Sequence, residues 1–139
     1  MNPISDGLTD KAALRKQLRA RRAAVTPEHR RVAAQQLVRL ALRQRLLARR
    51  RRIGFYMPAK NEIDILPLLR AALRMGVTCY LPVLPRRALV SAGRRALWFS
   101  RIGRNGYDLD TTRFGWRNNR YAIPEYLPRG VRKVRARQL

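Results

Sequence analysis

The sequence predicts an α/β fold: a layered sheet, mostly parallel, flanked by helices. Three observations carry this. The chain has 139 residues, which suits one domain and leaves no room for two. Hydrophobic residues make up 46%, enough for a core and too many for wholesale disorder. From Ile53 to Leu81 an apolar run, an amphipathic stretch and a second apolar run succeed one another within about 30 residues, the span of a strand–helix–strand unit. Strands joined by such a crossover run parallel.

Taken in order, residues 1–8 are expected to be disordered, and the domain to occupy residues 9–139. Thr9 is a candidate N-cap, Asp10 suits the positive end of the helix dipole, and Leu14 and Leu18 share a face through a basic first helix ending near Arg22. Thr26-Pro27-Glu28 opens a second helix with a cap, a proline at the first position and an acid in the first turn. Val32, Gln36, Leu37, Leu40 and Ala41 follow at helical spacing, and the helix breaks between Leu42 and Arg50. Ile53 to Met57 reads as a buried strand stopped by Pro58-Ala59-Lys60-Asn61. Asp64 caps a third helix with Ile65, Leu68, Leu69, Ala72 and Leu73 on its apolar face, and Gly76 stands where a C′ glycine belongs. Val77 to Leu81 is the second strand, ended by Pro82. Ala96 to Ser100 reads as a further short strand, Gly103 to Asn119 as irregular loop, the stretch from Pro124 to Pro128 as extended, and Val131 to Leu139 as a basic end without a capping signal.

Charge is the strongest compositional feature. Lys+Arg number 32 against 8 Asp+Glu, a formal net charge of +24, and only four of the basic residues are lysine. Such a surface attracts polyanions, which makes a small Arg-rich nucleic-acid-binding protein the alternative reading. No RNA-recognition aromatic motif, zinc-finger spacing or heptad zipper supports it. The single cysteine, Cys79, has no disulfide partner within the chain and fits a reducing compartment. Neither a signal peptide nor an apolar run long enough to span a bilayer is present, so a soluble cytoplasmic protein is expected.

Candidate chemistry is sparse. In open parallel sheets ligands bind beyond the carboxyl ends of the strands, and the loop Met57 to Glu62 leaves the first strand at that edge. The Glu62 carboxylate there suits the amino-pyrimidine edge of a pterin or purine, or else it is a solvated loop acid paired with an arginine. His29, the only histidine, reads as a surface residue, and Cys79 as a small buried hydrophobe. Trp98 and Trp116 read as packing anchors. None of the eight glycines forms a G-x-G phosphate cradle.

Four segments in order resemble the 5-formyltetrahydrofolate cyclo-ligase family. Lys11-x-x-Leu14-Arg15 on the basic first helix is similar to its start. Phe55-Tyr56-Met57-Pro58 followed by Asn61-Glu62-Ile63-Asp64 is similar to its first strand and substrate loop. Tyr80-Leu81-Pro82-Val83-Leu84 is similar to its second strand, and Tyr121-Ala122-Ile123-Pro124-Glu125 to its Gly-Ile-Pro-Glu-Pro segment. The resemblance implies closure of 5-formyltetrahydrofolate to 5,10-methenyltetrahydrofolate with ATP and Mg2+. The formyl oxygen takes the γ-phosphoryl group to give an imidate phosphate, N10 attacks, and phosphate leaves. It implies ATP contacts from Lys11, Ala12, Ala13, Leu14 and Arg15, and folate contacts from Met57, Glu62 and Tyr121. It assigns no catalytic acid or base and no metal ligand in this chain.

Two departures fall in the last segment: Ala122 stands for the usual glycine and Tyr126 for the usual second proline. A third is the end at Leu139. The family's next strand and its Gly-rich nucleotide loop would begin there, so the expectation is a C-terminally incomplete domain with little turnover of its own. The oligomeric state is left open.

Overall fold

The computed structural model describes residues 4–85, 97–103 and 106–139. Helix α1 spans Ile4–Ala24. Thr9 therefore lies inside the helix and is not its N-cap. Leu14 and Leu18 are about half exposed, at 51% and 52%. Two leucines among alanines and arginines offer too little apolar area to hold a helix down, and α1 packs broadly against no other described element.

Helix α2, Pro27–Arg43, starts as its sequence predicts. Thr26 Oγ1 accepts the His29 N–H at 3.2 Å, Pro27 opens the helix, and Glu28 pairs with Arg31. Ala34 and Ala41 are buried, Leu37 and Val38 pack on the core, and α2 lies against α3. It closes with Arg45 N–H on the Leu42 carbonyl and Leu46 N–H on that of Ala41, with Arg45 at φ 53°. That is a Schellman closure with arginine in the position glycine usually takes.

Strand β1, Arg52–Gly54, leads through α3, Leu66–Arg74, to β2, Thr78–Val83. Asp64 Oδ1 accepts the Leu66 N–H at 2.9 Å, so the expected acid does cap α3, from one residue ahead of Ile65 at the N-cap. Gly76 at φ 78° completes a second Schellman closure: its N–H meets the Leu73 carbonyl and the Val77 N–H meets that of Ala72.

The strand–helix–strand unit is parallel as expected, Ile53 opposite Cys79. The rest of the sheet is not. Strand β3, Trp98–Arg101, runs antiparallel to β2, and β6, Lys133–Arg135, antiparallel to β3. The order is β1-β2-β3-β6, with one parallel pairing in three among the described strands, so the sheet is mixed. The expected start of β3 at Ala96 lies outside the described residues.

Pro82 does not end β2 but lies within it, opposite Phe99. The β2–β3 bond from Ile102 N–H to the Cys79 carbonyl, together with antiparallel alternation, turns the Pro82 nitrogen away from β3. On that side the parallel pairing with β1 ends at the bond from Phe55 N–H to the Tyr80 carbonyl, because the next donor would be the Pro82 nitrogen, which has no hydrogen.

A second, two-stranded sheet pairs a segment expected as loop with one expected as extended. Strands β4, Trp116–Asn118, and β5, Pro124–Tyr126, make a hairpin. Polar contacts pin it to the main sheet and the segment after β2: the Ser100 hydroxyl donates to the Tyr126 carbonyl, the Leu84 N–H donates to Glu125 Oε1 at 2.7 Å, and Arg120 Nη1 donates to the Pro85 carbonyl at 3.2 Å. Leu69, Leu81, Ile102, Cys79, Phe55 and Tyr126 form the core between α3 and the two sheets.

Cys79 is buried there, and burial pushes its thiol up to about 12. The unfolded thiol titrates near its ordinary 9.0. Between those values the folded chain keeps a proton that the unfolded chain has lost, so the stability this group contributes is full below pH 9 and is lost as pH climbs toward 12. Iodoacetamide at pH 8 is accordingly expected to label Cys79 in urea and to leave the folded chain unmodified for hours. Rapid labelling of the native protein would contradict the burial.

Candidate functional site

The site is built on the segment leaving β1. Phe55 N–H bonds the Tyr80 carbonyl at 2.8 Å, extending the parallel pairing by one residue and burying the Phe55 ring. Met57 then packs half-buried on the core. The chain turns at Asn61, φ 65°, a residue that tolerates the left-handed region. Glu62 closes the turn on itself: its N–H meets the Ala59 carbonyl at 3.1 Å, and its Oε2 accepts the Ala59 N–H at 3.0 Å.

The other carboxylate oxygen, Glu62 Oε1, lies 3.3 Å from Arg22 Nη1 of α1, with the two side chains 29% and 51% exposed. Helix geometry makes this contact informative. At 100° per residue, Lys11, Arg15 and Arg22 fall within about 40° of arc, Arg15 about 10 Å and Lys11 about 16 Å along the axis from Arg22. The stripe that holds the two expected nucleotide cations ends on the expected folate carboxylate. Lys11, Ala12, Ala13, Leu14 and Arg15 are all exposed. They sit at the far end of the stripe and not against Glu62.

Beside Glu62, Ile63 forms the end of an open groove of about 900 Å³ along α2, lined by Leu37, Leu40, Leu42, Arg39 and Arg43. Its volume lies in the range of small-molecule sites. The Tyr56 phenol borders the same loop. Burial first, then the charges of Glu62 and Asp64, hold its pKa above the ordinary value. Among the described residues no three His, Cys, Asp or Glu side chains come together to hold a metal.

Tyr121 occupies the tip of the β4–β5 hairpin, 64% exposed, with the Arg120 guanidinium 5.1 Å from its ring centroid. Asn119 shapes this tip: its Oδ1 accepts the N–H groups of Tyr121, at 2.9 Å, and Ile123, at 3.2 Å. Ala122 follows at φ 57°.

The match to the 5-formyltetrahydrofolate cyclo-ligase family covers residues 8–131. The chain belongs to this family. A search of curated proteins gave no match. Every segment that carries the resemblance, from Lys11 to Glu125, lies within the matched residues.

The cyclo-ligase match sharpens the two departures at the hairpin. Ala122 stands in a left-handed turn, where an L side chain costs about 1–2 kcal/mol. Glycine there removes that strain at about 0.4–1 kcal/mol of extra chain entropy. Ala122→Gly is therefore expected to stabilise the protein by about 0.5–1 kcal/mol, a rise of about 2–4 °C in Tm. A fall in Tm would show that the turn is not strained. Tyr126, the other departure, is a core residue. Its ring lies 5.1 Å from that of Trp116 at 63°, an edge-on pair.

Sequence reasoning missed three features of the site. In the sequence Arg22 marks only the end of the basic first helix, although its spacing from Lys11 and Arg15 carries the signal. The α2 groove was hidden because Leu37 and Leu40 read as core positions. Glu125 lies within the Tyr121 to Glu125 segment, and nothing in the sequence marks it as buried.

Proposed function

We propose that this chain binds 5-formyltetrahydrofolate and ATP and acts in the family's closure of the folate to 5,10-methenyltetrahydrofolate. The reading is carried by one observation: Arg22, on the helix stripe of Lys11 and Arg15, meets Glu62 at the exit of β1.

Glu62 accepts the N–H donors of the folate's amino-pyrimidine edge. An exposed ion pair of this kind is worth about 0–1 kcal/mol, so the ligand's donors displace Arg22 at little cost. Met57 packs against the pteridine, and Tyr121 supplies an aromatic face. Lys11 and Arg15 neutralise phosphate charge, while Ala12, Ala13 and Leu14 keep the backbone between them helical. ATP, when bound, supplies the phosphoryl group that turns the formyl oxygen into a leaving group. The chain's own task is to hold the two substrates in register and offset their charge.

Titration of 5-formyltetrahydrofolate by calorimetry tests the reading. Glu62→Gln is expected to weaken binding about tenfold or more, the scale of one charge-assisted hydrogen bond, with Tm nearly unchanged. Lys11→Gln/Arg15→Gln is expected to weaken ATP and leave folate affinity intact. Unaltered folate affinity in Glu62→Gln would overturn the assignment.

A further inference from the structure

The four-stranded sheet has a second face, opposite the one that buries Cys79 and Leu81. Register places Arg52, Tyr80 and Arg101 on it together: Arg52 faces Thr78, two residues before Tyr80, and Tyr80 faces Arg101. With Arg132, Val134 and Gln138 these residues line a concavity of about 400 Å³.

Arg52 is fixed in its wall. The Tyr80 hydroxyl accepts from Arg52 Nη2 at 2.9 Å and Nε at 3.2 Å, and the guanidinium carbon lies 5.2 Å from the ring centroid. Tyr80 itself is buried, so Arg52, though exposed, is tethered to a fixed point of the sheet. Among the described residues two of its five N–H donors are engaged, both by the Tyr80 hydroxyl. The described ion pairs engage Arg22, Arg31, Arg113 and Arg117. None engages Arg52, Arg101 or Arg132. Three guanidinium groups thus share one hollow without a described carboxylate partner, and an anion seated between them relieves their repulsion.

We propose that this outer-face hollow binds a multiply charged phosphate group of di- or triphosphate size. Guanidinium forks match phosphate oxygens in bidentate geometry, and three of them match the charge of a polyphosphate better than that of one carboxylate. A nucleic-acid strand is the poorer fit, because strand binding draws on open aromatic faces and the ring of Tyr80 is covered by Arg52. The hollow is separate from the folate loop: Arg52 begins β1, whereas Glu62 follows its exit.

Calorimetry with inorganic tripolyphosphate at about 0.15 M salt tests the proposal, using the full chain carrying Lys11→Gln/Arg15→Gln so that α1 does not contribute. Adding Arg101→Gln/Arg132→Gln is expected to weaken binding about tenfold or more. Both side chains are exposed, and an unchanged Tm confirms the fold. Adding Arg70→Gln/Arg74→Gln instead removes the same charge from α3 and is expected to leave affinity within twofold. Equal losses in the two variants would mean diffuse charge and overturn the proposal. So would unchanged affinity in Arg101→Gln/Arg132→Gln. A single-stranded oligonucleotide, matched in phosphate concentration, is expected to bind without dependence on Arg101 and Arg132. Loss of oligonucleotide binding alone in that variant would overturn the proposal in favour of a nucleic-acid backbone.

Discussion

Tyr126→Ala is expected to lower the unfolding free energy by about 3–5 kcal/mol, the range for deleting a buried aromatic side chain. The ring is 2% exposed and stacks edge-on with Trp116. It is also seated against backbone with no room to spare. A Cβ at Gly115, which sits at φ 94°, would come within 2.8 Å of the ring, and one at Gly106 within 2.9 Å. The hole left by alanine therefore borders main chain, which relaxes less readily than side chains do. For a domain with a total stability of about 5–15 kcal/mol, the variant stands close to the unfolding threshold at 37 °C. Tyr126→Phe separates ring from hydroxyl, which lies by Gly103; it is expected to cost about 1 kcal/mol. Urea unfolding measures both. A loss below about 1 kcal/mol in Tyr126→Ala would mean that the hairpin is not part of the cooperative core.

The second large effect belongs to Glu125, 3% exposed. Its Oε1 accepts from the Leu84 N–H at 2.7 Å and from Asn119 Nδ2 at 3.3 Å, and its Oε2 faces Arg117 Nη2 at 3.4 Å. Glu125→Ala leaves a backbone N–H and an amide without acceptors, which places the expected loss at about 2–4 kcal/mol. Arg117 is half exposed and regains water, so the upper end is not reached through the ion pair alone. Glu125→Gln keeps an oxygen for Leu84 and is expected to lose about 1 kcal/mol. The two variants together separate the hydrogen bond to Leu84 from the charge. Equal losses would show that charge, not the Leu84 contact, holds the hairpin.

Local signals were legible in the sequence. Thr26-Pro27-Glu28 and Gly76 act within one helical turn, so their neighbours in sequence are also their neighbours in space, and both did what they predict. The parallel β1–β2 unit was legible for the same reason. What failed was set by distant partners. Trp116-Arg117-Asn118 has no alternation and becomes a strand only because β5 pairs with it. Lys133-Val134-Arg135 buries one side chain, Val134, and owes its extended form to β3. Pro82 reads as a stop because its neighbour across the sheet is invisible in the sequence.

At the site, the β1 loop and the hairpin turn were found through motif resemblance. The Arg22–Glu62 contact joins residues 40 apart, which helical spacing on one side and loop chemistry on the other do not link without coordinates. The burial of Glu125 had no local signal, since an acid beside Pro124 reads as exposed.

Among the described residues β1 is one of the two edge strands of the main sheet; it is three residues long, and four consecutive arginines, Arg49 to Arg52, lead into it. A free rim of this kind is where one molecule's sheet would otherwise continue into the next. Here two such rims meeting edge to edge bring eight guanidinium groups together along too few hydrogen bonds to hold them. The same arginines that enlarge the chain's appetite for anions thereby guard it against fibre growth.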